Sequence, residues 1–170
     1  MTTFDGWQSF YEVTGEAAAT LTGLLFVVVS FMSGREASKT VQGVKLFMSP
    51  KVFHLVSVLV ISALALVPEG EAGAAIMAMT TWAALGLIYA VVVAARIHAA
   101  PEPAHWSDFW WYGVAPAVAF VALTAATASA WASWPHAAGL VALCLMTLLV
   151  VTIRNAWDLV TWLAPRRDKP

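Results

Sequence analysis

Apolar residues in this chain come in long unbroken blocks, separated by short stretches that carry charge or proline. Runs such as LLFVVVSF and LVISALALV do not alternate polar with apolar, so they read as helices and not as the strands of a membrane barrel. Five blocks can be drawn, with approximate limits 10–33, 50–67, 72–98, 108–133 and 135–163, leaving 34–49 as a polar linker. A helix rises ~1.5 Å per residue and a bilayer core is about 30 Å thick, so blocks of this size match membrane spans. The second is the shortest.

Local signals support these limits. Gly34 closes the first block. Ser49-Pro50 reads as an N-cap and first helical residue, and Pro68 follows the second block. Pro101 and Pro103 break the chain after the third, and Pro165 follows the fifth. Pro116 falls in the early turns of the fourth block, where it predicts a kink. Tryptophans gather at block ends: Trp106, Trp110 and Trp111 at one end of the fourth, Trp131 and Trp134 at the other, Trp157 and Trp162 near the end of the fifth. Indole rings favour the headgroup layer, so these read as anchors. In the linker, Val41, Val44, Phe47 and Met48 share an approximate helical face, which predicts a short interfacial helix touching anionic lipid.

Composition agrees with the pattern. Hydrophobic residues make up 61% of the 170 and charged residues only 11%, against about 25% charged in soluble domains. The mean hydropathy is +0.77. The expected fold is therefore an all-α integral membrane protein, a single five-helix transmembrane domain over 1–170. The opening MTTFDGWQSFYE has no basic segment, so the first block is expected to stay in the mature protein and not to be cleaved as a signal.

Charge placement sets an orientation. Every lysine and arginine falls on one side of a five-span layout: Arg35, Lys39, Lys45 and Lys51, then Arg96, then Arg154, Arg166, Arg167 and Lys169. The positive-inside rule puts that side in the cytoplasm, with the N-terminus outside and the C-terminus inside. Asp5, Glu12, Glu16, Glu69 and Glu71 lie on the other side with no basic residue among them. That acidity would concentrate cations at the outer surface.

The first block holds the sharpest candidate chemistry. Glu12, Glu16 and Thr20 recur at helical spacing and form a stripe that descends from acidic to hydroxyl, a candidate ion pathway. Beside it Gly15, Ala19 and Gly23 form a small-residue stripe suited to close helix packing. Arg154 and Asp158 are four apart and should pair on one face, as a structural ion pair or a gate. His54, His98 and His105 all fall near the cytoplasmic side, but their spacing matches no metal-ligand motif, so no metal site is assigned to them. Cys144 stands alone in an apolar run and reads as packing. No nucleophile elbow, phosphate-binding glycine loop or zinc-protease motif occurs, so no catalytic residue and no cofactor is expected.

These features point first to a small channel or transport protein of the cell membrane, of bacterial inner-membrane type, built as a homo-oligomer. It would pass or sense cations along the polar stripe of the first helix, with membrane lipids as its other partners and no nucleic acid. The alternative is a ligand-binding or scaffold protein for a lipid-, sterol- or porphyrin-like molecule. Five helices, this length and many tryptophans are similar in architecture to the translocator-protein type of binder, although that family's proline- and tryptophan-rich first loop is missing. A membrane metal or redox enzyme is the third reading. The orientation is testable with reporter fusions in a bacterial inner membrane. Alkaline phosphatase joined after Glu71 should be active and the same enzyme joined after Ala104 inactive; the opposite pattern would invert the topology.

Overall fold

The computed structural model describes residues 3–32, 41–99 and 109–163. Among them the backbone forms five long α-helices and no strand. They are α1 (Gln8–Met32), α2 (Val41–Ala65), α3 (Ala72–His98), α4 (Ala115–Trp131) and α5 (Ala137–Leu163). A 3-10 turn, Glu69–Glu71, leads into α3, and a π-helical turn, Phe109–Val114, leads into α4. Among the described residues, three stretches are long and apolar enough to cross a membrane: Glu69–His98, Phe109–Trp131 and Ala137–Asp158. Pro50–Ala65 is a shorter apolar helix.

Two boundaries differ from the sequence reading, both at proline. The second helix does not begin at Ser49-Pro50. It begins at Val41 and carries Pro50 inside. The helical spacing of Val41, Val44, Phe47 and Met48 therefore extends α2 and does not make a separate element. The remainder of the expected linker, 34–40, lies outside the described residues. In the fourth helix, Pro116 stands at the start of α4 and the turn before it is widened to π geometry. Proline has no N–H and its ring crowds the carbonyl four residues back, so the ladder loosens just ahead of it.

Each helix packs on the next, α1 closes against α5, and α2 also reaches α5 across the middle. α2 thus touches α1, α3 and α5 and buries Leu55, Val58 and Ile61. The core is completed by Tyr11 and Ala18 from α1, Met79 from α3, Phe120 and Leu123 from α4, and Leu145 and Leu148 from α5. On α3, Ala83, Gly86 and Ala90 share the buried face, so α4 can come close. Phe120 uses the space: its ring lies where any Cβ on Gly86 would have to be. The small face of α4 is Ala119, Ala126 and Ala130, while Ala122, Ala125 and Ala128 are exposed.

The outside of the bundle is apolar. Leu24 and Phe26 on α1, Leu85 and Ile88 on α3, Val118 on α4 and Leu143 on α5 are all more than half exposed. Monomeric soluble proteins rarely expose contiguous apolar patches beyond a few hundred Å². Polar side chains inside the helices are mostly satisfied on their own backbone. Thr14, Thr22, Ser57, Thr80, Thr124 and Thr152 each donate to the carbonyl four residues back. This bonding leaves hydroxyls compatible with an apolar surrounding.

The close approach at Gly86 yields a stability prediction. Gly86→Ala should lower the unfolding free energy by about 1–3 kcal/mol, as overpacked cores do, measured by denaturation in micelles. Phe120→Leu in the same chain should recover part of the loss. An unchanged midpoint for Gly86→Ala would mean that the ring is not held there.

Candidate functional site

The helices run so that one end of the bundle is acidic and the other basic. Asp5, Glu12, Glu69 and Glu71 lie at the first end, and Lys51, Arg96 and Arg154 at the second. At the acidic end the Tyr11 hydroxyl donates to the carbonyl of Ala138 at 2.8 Å, tying α1 to the start of α5. Phe4 stacks edge-on against Tyr11 and folds the leading residues over that junction.

On α1 the buried face is Tyr11, Thr14, Gly15 and Ala18. Gly15 meets α2 closely: a Cβ there would stand 3.3 Å from Cβ of Ser62. Glu12, Glu16 and Thr20 are on the opposite face and exposed, together with Ala19 and Gly23. Nothing would lie within 4 Å of a Cβ on Gly23. The structure therefore brings the acidic stripe and two of the three small residues onto one outward surface, and leaves Gly15 alone in the bundle's own packing. Glu16 follows the first helical residue by about two turns, some 12 Å at ~1.5 Å per residue. Leu24, Phe26 and Val27 continue the exposed surface.

The basic end has a different character. Arg154 and Asp158 form an ion pair at 3.1 Å, four residues apart on α5, with 40% and 44% of their side chains exposed. The Arg154 guanidinium also lies over the Trp111 ring, 4.1 Å from its centroid. A cation over an indole gains about 0.5–1 kcal/mol at exposed sites. Just inside, Asn155 is buried. Its Nδ2 donates to the carbonyl of Trp111 at 2.9 Å, and its own carbonyl accepts from the Tyr112 hydroxyl at 3.1 Å. These two bonds fasten the π-helical turn to α5. The widened turn and the side chain that satisfies it belong together.

Lys51 completes this end. It is 1% exposed, its ammonium lies 5.3 Å from the Tyr112 ring centroid, and its Nζ has no hydrogen-bond partner among the described residues. One turn further along α2, His54 is buried against Phe120, with Nδ1 likewise unpartnered. Asn155 Oδ1 is the third unfilled atom of the group. From sequence Lys51 counted only as part of the positive side. The signal that could have singled it out is its neighbourhood, since Val52, Phe53, Leu55 and Val56 leave it no exposed polar face to join.

The histidines do not converge. His54 is interior, His98 is exposed beside Phe109, and His105 lies outside the described residues. No group of metal-binding side chains occurs among the described residues. Cys144 is buried.

A cleft of about 340 Å³ opens at the acidic end, lined among others by Phe4, Glu69, Ile76, Ala130 and Trp131. Comparison with known proteins finds no matching family model, no matching curated protein and no matching solved structure.

Asn155 gives the local prediction. Asn155→Ala removes the donor to the Trp111 carbonyl and should cost about 1–3 kcal/mol, the range for leaving a buried polar group unpaired. Arg154→Ala should cost no more than about 1 kcal/mol from its half-exposed ion pair. Unfolding midpoints of the two variants in micelles check the order; a larger loss for Arg154→Ala would reverse it.

Proposed function

We propose that this chain is a multi-pass cell-membrane protein with five spans, its N-terminus outside and its C-terminus in the cytoplasm, and that copies of it associate through α1 to pass cations. The observation that carries the reading is the outward exposure of Glu16. An ionised carboxylate facing lipid costs a few kcal/mol, so the surface that bears it needs another occupant. A second copy of the same surface fits, because Ala19 and Gly23 beside it allow close approach of backbones.

Symmetry then supplies the chemistry. Carboxylates brought together around an axis repel one another unless a proton or a cation sits between them. Rings of acidic side chains select cations in this way. Glu12 would form the mouth, Glu16 the binding ring, and Thr20 the step below it. Among the described residues the protomer interior supports no competing route, since its middle is filled by Val58, Ile61, Phe120, Leu145 and Leu148.

The cleft at the acidic end supports a second reading, a binder of lipid-, sterol- or porphyrin-like molecules. Its volume falls at the lower end of the range for small-ligand pockets, and Phe4, Ile76 and Trp131 give it apolar walls.

Cation flux into liposomes carrying the purified protein separates the two. Glu16→Gln should lower the flux by about tenfold or more, on the scale of losing a strong charge-assisted contact at a binding ring. Gly23→Cys, in a chain with Cys144→Ser, should cross-link into dimers under oxidation. Absence of flux at every ion and voltage, with Gly23→Cys remaining monomeric, would sink the channel reading. A lipid-like molecule retained through purification would then favour the second.

A further inference from the structure

We propose that the basic end of the bundle binds a phosphate group that carries a neighbouring hydroxyl, with Lys51 supplying the charge and Asn155 the acceptor. The proposal goes beyond cation passage and does not depend on α1.

Charge is the first part of the case. Of the cations at this end, Lys51 and Arg154 stand beside the carboxylate of Asp158. Asp158 pairs with Arg154 at 3.1 Å and also acts electrostatically on Lys51, so the two cations share one carboxylate, and Lys51 Nζ has no hydrogen-bond partner among the described residues. A buried ammonium that shares its counter-charge and makes no hydrogen bond is costly, and water can fill its hydrogen bonds without adding charge. An oxyanion does both. Lysine acts as a point charge for phosphate and arginine as a flat fork, and Arg154 stands at the rim of the same group.

Hydrogen bonding is the second part. Asn155 Nδ2 is already committed to Trp111, so the amide has only its unfilled Oδ1 left to offer. An acceptor cannot bind a bare phosphate oxygen. It needs a donor, and a hydroxyl next to the phosphate provides one. Tyr112 links the two halves: its ring lies under Lys51 and its hydroxyl bonds the Asn155 carbonyl. Entry is from the rim, where Arg154 and Asp158 remain two-fifths exposed. A glycerol phosphate unit meets all these demands, either as the headgroup of an anionic lipid or free in solution.

The experiment uses the full chain in neutral detergent freed of phospholipid, with the unfolding midpoint as readout. The probes are phosphatidylglycerol, soluble glycerol phosphate, and phosphatidylcholine as the zwitterionic control. Without any probe, Lys51→Met should melt higher than the unaltered chain, because a buried ammonium with no hydrogen bond and only a shared counter-charge has been removed. With phosphatidylglycerol or glycerol phosphate the unaltered chain should gain and Lys51→Met should not, its apparent affinity falling by about tenfold or more. Asn155→Asp, which sets a second anion against the phosphate, should also lose the response. Lys51→Arg should keep it, and Arg96→Gln, on the exposed end of α3, should leave it unchanged. Response to the lipid alone identifies the headgroup as the source, and response to the soluble compound identifies free ligand. Equal responses of the unaltered chain and Lys51→Met, no response to either anion, or a lower midpoint for probe-free Lys51→Met that still folds would each overturn the proposal.

Discussion

One aromatic ring closes the middle of this bundle. Phe120 projects from α4 into the place that Gly86 leaves open on α3, and from there it reaches Phe53 and His54 on α2. Three helices meet at that ring. It is fully buried and shares one core with Leu123, Leu145 and Met79, so among the described residues apolar side chains fill the middle of the protomer. Polar chemistry is pushed to the two ends and to the outer face of α1. The functional reading follows from that exclusion as much as from the glutamates themselves.

The interior polar groups divide by how they are satisfied. Most hydroxyls bond back to their own helix and ask nothing of their neighbours. Ser57 is different: it donates to the Phe53 carbonyl and accepts from Trp82 Nε1 at 3.1 Å. It thereby fixes the register of α2 against α3. Asn155 does the same for the π-helical turn and α5. Lys51, His54 and Ser62 are left over, and all three lie on α2, which packs against α1, α3 and α5.

Much of this was legible in the sequence. The five apolar blocks located five helices, because a long apolar run reports the surroundings of the whole segment. The Arg154–Asp158 pair was legible because its spacing places both residues on one helical face. What could not be read was direction. Glu12, Glu16 and Thr20 share a stripe in any helix, but whether that stripe faces α2 or the outside depends on which face α2 and α5 cover. Gly15 and Gly23 illustrate this: both belong to one small-residue pattern, yet one is pressed against Ser62 and the other stands in open space. The helix start at Val41 was hidden for a similar reason. Proline is a boundary signal only where tertiary packing does not hold the helix on both sides, and Pro50 is buried. Lys51 was masked by its charge, which served a topological rule before its burial was known.

The Tyr11–Ala138 bond has a mechanical consequence. It pins α1 to α5 at the acidic end, whereas among the described residues the other half of α1 meets its neighbours only through apolar contacts such as Leu21 and Leu25. A rod clamped at one tip bends most at the other. Among the described residues, that half of α1 is tied to the bundle by apolar packing alone, and a force applied near Gly23 acts against that packing with the leverage of the helix.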